Sequence, residues 1–248
     1  LPNYDEYGSI RPDGYDPGMQ YNAWLEYTWD TALEFCQMIL ESESYANQNI
    51  SEYIPFIQST LDFFNEHYRY LARARGIKEL DGSGKLIIYP GSGAETFKMA
   101  YNSTSTVAGL KTVTSSLISY LKKHNEDSLL LKKDTTLLKS IPDISFREVN
   151  GHQVLSPAVT WARVNNTEPT ELYPVFPWRI YGVGKPDLKI AQDTYLYDPF
   201  ALEFRSHVGW KQDNIWAADL GLTDEAARLA KLKLSDGPYR FPAFWGPG

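Results

Sequence analysis

The sequence has one cysteine, Cys36, among its 248 residues, and it has no long apolar run. A single thiol cannot form an intramolecular disulfide or supply a cysteine-type zinc site. Because Cys36 lies on the apolar side of a predicted helix, we expect it to be a small buried hydrophobe. Apolar runs such as Leu129–Leu131 fall far short of the roughly 20 residues that span a bilayer. We therefore expect no membrane partner.

Positive charge is also scarce. The chain has 24 Lys and Arg against 31 Asp and Glu, which gives a net charge of −7. Basic residues are contiguous only in pairs such as Lys122-Lys123. A nucleic-acid-binding surface needs clustered lysine and arginine, so we expect no nucleic-acid partner.

Sequence motifs of several large enzyme classes are missing. Gly91-Ser92-Gly93 is not a GxSxG nucleophile elbow, since Pro90 takes the place of its first glycine, and it is not a GxGxxG fingerprint. No Gly-Lys-Ser/Thr loop for phosphates occurs, and the four histidines form no HExxH motif. Glu203 and His207 offer only two ligands at i,i+4 spacing, too few for a metal site. We expect neither a metal nor a cofactor.

Helical periodicity dominates what is present. Hydrophobic residues make up 43% of the chain, enough for a packed core. Two apolar faces repeat at spacings of three and four, as in amphipathic helices: Ile54, Ile57, Leu61, Phe64, Tyr68 and Leu71, and upstream Leu25, Trp29, Ala32, Cys36 and Ile39. Further helices are predicted over residues 106–123, 126–139, 186–195, 209–220 and 224–234.

Extended structure is predicted in two short places only. Residues 84–89 form an apolar run, and residues 144–155 read as a β-hairpin around an Asn150-Gly151 turn. Residues 156–185 form a long aromatic loop, and long loops in compact domains are usually functional. The predicted fold class is all-α, with the hairpin near 144–155 as a small insertion.

The first candidate for chemistry is Glu95. It follows the flexible turn Gly91-Ser92-Gly93 and has apolar and aromatic neighbours. A carboxyl group held among apolar side chains has its charged form disfavoured, so it can act as a general acid near neutral pH. The alternative is a solvated surface carboxylate in a loop.

Two other segments carry candidate residues. Asp213 follows Trp210 at the start of a predicted helix, where an acid can also simply complement the helix dipole. Glu171, Trp178 and Arg179 lie in a proline-stiffened loop, and such carboxylate, aromatic and guanidinium groups bind sugars. Burial of the loop's own aromatic side chains explains the same pattern without a ligand.

Three Asn-X-Ser/Thr sequons begin at Asn49, Asn102 and Asn165. Each lies in a polar segment near a predicted helix or loop boundary, as glycosylation acceptors do. They predict a secreted, glycosylated chain.

Several segments together resemble the catalytic (α/α)6-barrel region of family 95-like glycoside hydrolases and their six-hairpin relatives. The resemblance covers most of the chain, and its matching segments are residues 53–57, 61–68, 86–95, 102–110, 171–177, 209–213 and 217–226. It implies inverting hydrolysis of a glycosidic bond in a poly- or oligosaccharide. Gly91–Glu95 departs from the Ser-Pro-Glu type of turn in characterised members, so the sugar is not defined.

The resemblance also implies roles for individual residues. Glu95 corresponds to the general acid, and Asp213 to a carboxylate that supports the water-activating asparagines, which would lie upstream of Leu1. The implied substrate-binding residues are the aromatic platforms Tyr89, Trp178 and Trp210 and the hydroxyl partners Glu171, Arg179 and Gln212.

A complete barrel of this type has twelve helices, and about seven are predicted here. We therefore expect residues 1–248 to form a single helical catalytic-type domain, a fragment of a larger chain. The rest of the barrel, or another chain that completes it, would be its partner alongside the carbohydrate substrate. The alternatives are a non-catalytic carbohydrate-binding or structural helical protein, and a polysaccharide lyase, which needs a Tyr or His base that the sequence does not indicate.

Overall fold

The computed structural model describes residues 25–125 and 128–235, and this part of the chain is mainly helical. Within these two ranges, eight α-helices occur in chain order: α1 Asp30–Ala46, α2 Ile54–Ala74, α3 Thr104–Lys123, α4 Ser128–Ser140, α5 Leu188–Tyr197, α6 Pro199–Glu203, α7 Asp213–Asp219 and α8 Thr223–Lys233. Two short 3-10 helices, Ser51–Tyr53 and Thr170–Leu172, lie between them.

Five short strands form two antiparallel sheets. Strands β1 Gly91–Gly93, β2 Phe97–Ala100 and β5 Arg163–Val164 form the three-stranded sheet in the order β1-β2-β5. Strands β3 Phe146–Val149 and β4 His152–Leu155 form a hairpin. The three-stranded sheet is the part that matters for the candidate site, because the β1–β2 turn carries Glu95.

The predicted hairpin and most predicted helices are confirmed. Asn150 and Gly151 both have positive φ, 51° and 82°, as a two-residue hairpin turn with right-handed strand twist requires. Helix α2 matches the clearest apolar repeat in the sequence, and α3, α4, α5 and α8 begin and end within about two residues of their predicted positions, except that residues 126–127 lie outside the described part.

Two element predictions need correction. Helix α1 begins at Asp30, so Leu25 and Trp29 precede it, and its buried face includes Leu33 and Leu40 instead. Helix α7 begins at Asp213, four residues later than predicted. In the segment predicted to be extended, residues 84–89, Leu86 forms an isolated antiparallel bridge with Leu80.

The predicted predominance of helices is confirmed. The three-stranded sheet and α6 were not predicted. Strands of two to four residues, as in β1, β2 and β5, are too short to show an alternating pattern.

One cluster of buried apolar side chains joins the helices. Helix α1 packs along α3, and Gly109 of α3 allows the Trp178 ring to approach the helix backbone. Cys36 is buried in this core, as the sequence predicts. No helix in the described part is both long enough and apolar enough to cross a membrane.

Candidate functional site

Glu95 lies in the tight connection between β1 and β2. The Thr96 N–H donates to the Gly93 carbonyl at 3.0 Å, which closes the turn, and Ala94 has φ +43°. The Glu95 side chain is half-buried, and its Oε2 accepts a hydrogen bond from the Asn166 amide at 3.0 Å. The turn therefore holds the carboxyl group beside the segment that follows β5.

Two further carboxyl groups come from the first turns of α1. Asp30 is buried, and its Oδ2 accepts a hydrogen bond from the Ser105 hydroxyl of α3 at 2.7 Å. Burial raises the pKa of Asp30, although the bond from Ser105 and the nearby Lys98 ammonium oppose that rise. Burial, together with the charges of Asp30 and Glu168, raises the pKa of Glu34 to about 7.

Glu168 connects these groups. It accepts a hydrogen bond from the Tyr173 hydroxyl, and burial raises its pKa, as do the neighbouring carboxyl groups of Asp30 and Glu95. Glu168 is therefore within electrostatic reach of Asp30, Glu34 and Glu95, and we refer to these four residues as the carboxylate cluster. Tyr173 lies beside the carboxylate cluster. Burial and the Glu168 carboxyl group raise the pKa of the Tyr173 hydroxyl well above its usual range.

A buried cation lies against this cluster. Lys98 of β2 is 0% exposed, and burial lowers its pKa to about 8 despite the attraction of Asp30 and Glu95. The side of the cluster nearest β2 is thus partly neutralised by one ammonium group.

Asp213 is the first residue of α7 and is 1% exposed. Its Oδ2 accepts a hydrogen bond from the Ser206 N–H at 3.3 Å, and burial raises its pKa to about 6. The Lys211 ammonium interacts electrostatically with both Asp213 and Glu168, and it donates to the Thr167 hydroxyl at 3.0 Å. Lys211 therefore links Asp213 to the segment that carries Glu168.

Glu171 forms a separate acidic pair. Its side chain is 0% exposed, and both carboxyl oxygens are without a hydrogen bond of good geometry. Burial and the neighbouring Asp198 carboxyl group raise the pKa of Glu171 well above its usual range, so we regard Glu171 as protonated. Asp198 caps α6 and accepts from the Arg147 Nε at 3.1 Å.

The predicted sugar-binding residues are not all accessible. Trp210 is 42% exposed, with the Lys211 ammonium 4.6 Å from its ring centre, and Tyr89 and Gln212 are half-buried. The predicted roles of Trp178 and Glu171 need correction, because Trp178 is 1% exposed and packs on Gly109, while Glu171 lies in the interior. Neither side chain presents a surface to a sugar.

Arg179 lies away from the carboxylate cluster. Its guanidinium donates to Glu41 at 3.2 Å and to the Tyr45 hydroxyl at 2.9 Å, both in the last turns of α1. Asp30 and Glu41 are 11 positions apart on that helix, roughly 16 Å at 1.5 Å per residue. The structure thus does not bring Arg179 together with Glu95.

The three sequon asparagines differ in accessibility. Asn49 is exposed and Asn165 is half-buried. Asn102 is buried, and its Oδ1 accepts a hydrogen bond from the Ile88 N–H at 2.9 Å. A glycan is attached through the side-chain amide nitrogen, which a buried asparagine does not present to solvent, so the prediction for Asn102 is corrected.

Asp30, Glu34, Glu168 and Lys98 were missed in the sequence. An acid in the first turn of a helix, such as Asp30, is common and complements the helix dipole, so its position alone is uninformative. These groups become notable only because α1, β2 and the loop after β5 converge, which a local pattern does not reveal.

Within residues 25–125 and 128–235, no three His, Cys, Asp or Glu side chains are arranged so that they could hold a metal ion together. The chain matches no protein-family model. It also matches no curated protein.

Proposed function

We propose that the chain carries the acid–base machinery of an inverting glycoside hydrolase that acts on a poly- or oligosaccharide. The observation that supports this most strongly is the carboxylate cluster around Glu95. Acid–base hydrolysis of a glycosidic bond needs carboxyl groups whose environments separate their protonation states. Burial raises the pKa of Asp30, Glu34 and Glu168, the other three carboxyl groups of the cluster.

In the proposed mechanism, Glu95 donates a proton to the leaving glycosidic oxygen. Its half-buried position and its bond from Asn166 leave the carboxyl group oriented but not enclosed. Protonation of the leaving group contributes typically 10²- to 10⁴-fold to the rate. Glu168 is a neighbouring carboxyl group, and burial raises its pKa.

Asp213 is the proposed supporting carboxylate for the attacking water. Inversion requires the acid and the water-orienting group to be separated by roughly 6.5–9.5 Å, so that water fits between them and the sugar. The link from Asp213 through Lys211 to Glu168 supports placing it at the same site as Glu95. Asparagines supplied from outside this chain would contact the water directly.

Sugar contacts are assigned to the accessible candidates. Trp210 offers an exposed ring for stacking, and Tyr89 and Gln212 offer a ring edge, a hydroxyl and an amide. We assign no sugar contact to Trp178 or Glu171, because both are buried. We assign none to Arg179, because it lies away from the carboxylate cluster.

The proposed architecture is part of an (α/α)6 toroid in a secreted protein, and residues 1–248 form one catalytic-type domain of it. Exposed apolar side chains on α1 and α2, among them Phe35, Met38 and Phe56, support a further helical layer as the partner that completes the toroid.

The test is a hydrolysis screen of plant and microbial glycans with the wild-type protein, Glu95→Gln and a matched surface control, Glu66→Gln. We expect Glu95→Gln to reduce turnover at least 100-fold, while sugar affinity measured by calorimetry changes by less than about threefold. Glu66 is exposed on α2, so its variant should match the wild type. Near-normal turnover by Glu95→Gln would remove Glu95 from the mechanism.

The second candidate is a non-catalytic carbohydrate-binding or structural protein. It is favoured by the deep burial of Asp30 and Lys98, because fully satisfied polar networks also serve to specify a fold. Sugar binding without turnover by the wild type would support this reading. A lyase with Tyr173 as its base is disfavoured, since the raised pKa keeps that hydroxyl protonated.

A further inference from the structure

The peptide of Ala94, directly before Glu95, has an unfavourable backbone conformation. A φ of +43° is uncommon for a residue with a Cβ atom, and such conformations persist only when surrounding contacts hold them in place. Any relaxation at Ala94 would rotate the next residue, so these contacts decide where the Glu95 carboxyl group points.

The Ala94 carbonyl accepts three hydrogen bonds. The donors are the Lys98 ammonium at 3.1 Å, the Thr28 hydroxyl at 3.0 Å and the Ser92 hydroxyl. Donors from β1, β2 and the chain before α1 therefore hold the carbonyl group of this one residue.

The Lys98 ammonium group has several hydrogen-bond acceptors around it. Its ammonium also donates to the Ser92 hydroxyl at 2.8 Å, the Thr28 hydroxyl at 3.1 Å and the Glu26 carbonyl at 3.2 Å. Burial of an ammonium group is costly unless it is hydrogen-bonded, so these contacts explain why a lysine is tolerated in the interior. Ser92 and Lys98 do not form a nucleophile–base pair open to a substrate, because Ser92 is buried and its hydroxyl donates to Ala94.

We propose that Thr28 and Lys98 are positioning residues that clamp Ala94 and thereby aim the Glu95 carboxyl group. Their effect on a reaction rests on the proposed function, whereas the clamp itself does not. Neither residue needs to touch the sugar.

The clamp is tested without a substrate by amide hydrogen exchange, which reports local opening. Thr28→Val removes one donor to the Ala94 carbonyl with little change in shape, and Thr28→Ser restores the hydroxyl. We expect exchange at Ala94 and Glu95 to be about three- to tenfold faster in Thr28→Val and close to wild type in Thr28→Ser. Exchange at Val113 in α3 should be the same in all three proteins.

Lys98→Met removes a charged donor and should accelerate the same exchange by roughly ten- to hundredfold. If that variant does not fold, the comparison of Thr28→Val with Thr28→Ser still tests the clamp. Unchanged exchange at Ala94 and Glu95 in Thr28→Val would overturn the clamp.

Once a substrate is found, Thr28→Val should lower kcat by the same three- to tenfold with KM within about twofold, and Thr28→Ser should restore it. Absence of hydrolysis by the wild type, with exchange responding as expected, would reject the proposed function and leave the clamp standing. If the wild type hydrolyses a glycan but exchange at Ala94 and Glu95 is unchanged in Thr28→Val, the clamp is rejected and the proposed function is not.

Discussion

At Glu34, burial and two neighbouring carboxyl groups favour the protonated form. Its folded-state pKa of about 7 lies above its ordinary value of 4.5, so the folded protein binds this proton more tightly than the unfolded chain. The resulting stabilisation is complete below pH 4.5 and is lost as the pH rises through 7.

Glu34→Gln should therefore become more stable relative to the wild type as the pH rises. Between pH 5 and pH 8 we expect a relative gain of about 1–2 kcal/mol, below the full linkage value because solvent screens a partly exposed group. Urea unfolding at each pH measures it, with Glu66→Gln as the control. A constant difference between Glu34→Gln and wild type across this range would contradict the assignment of a raised pKa.

Glu171 and Arg147 should respond differently to substitution. Burial and the Asp198 carboxyl group favour the neutral form of Glu171, so we expect Glu171→Gln to change the free energy of unfolding by less than about 1 kcal/mol. Arg147→Met leaves the buried Asp198 without its cationic partner, and we expect a loss of about 3 kcal/mol. Denaturant unfolding at pH 7 compares them, and equal losses would mean that Glu171 is ionised.

For single residues, the sequence identified Glu95 and Asp213 as candidate catalytic residues. It wrongly predicted that the Trp178 ring is accessible to a sugar. A turn with an acid beside it is visible locally, as at Gly91–Glu95. Burial of Trp178 depends on Gly109, which lies 69 positions earlier in the chain, and no local pattern records that contact.

Among the helices, the packing of α1 on α3 depends on the absence of a side chain at Gly109. An added Cβ would lie 2.7 Å from Trp178 Cζ2 and 3.0 Å from Leu33 Cδ1. Overpacking of this kind typically costs 1–3 kcal/mol, and the helix propensity of alanine recovers at most about 1 kcal/mol.

Gly109→Ala should therefore lower the free energy of unfolding by about 1–2 kcal/mol. Gly82→Ala is the matched control, because its Cβ would meet open space, and it should stay within about 0.5 kcal/mol of wild type. Equal stability of the two variants, measured by thermal or denaturant unfolding, would show that α1 and α3 adjust without strain.

Long elements were predictable and short ones were not. The α2 helix has 21 residues, and its apolar repeat extends from Ile54 to Leu71, while the Asn150-Gly151 turn identifies its hairpin through backbone chemistry. Helix α6 has five residues and β5 has two, so neither repeats its pattern often enough to be recognised. Strand β5 pairs with β2, and Phe200 of α6 packs against Phe97 of β2, so both elements depend on contacts that are distant in sequence.

For the whole molecule, the absence of a nucleic-acid partner stays a prediction, because it rests on composition alone. The candidate site is formed by distant parts of the chain. Asp30 lies 65 positions before Glu95, and Glu95 lies 73 positions before Glu168. Only the three-dimensional fold reveals that they interact, which is why sequence reasoning found one member of the carboxylate cluster and missed three.

Glu95 as the proton donor is tested most directly by the leaving-group dependence of hydrolysis. The wild type and Glu95→Gln are compared on the glycan found in the screen and on the glycosyl fluoride of the same sugar, whose leaving group needs little protonation. We predict that the variant loses at least 100-fold on the glycan and less than about tenfold on the fluoride. An equal loss on both substrates, or no loss on either, would contradict the assignment of Glu95 as the general acid.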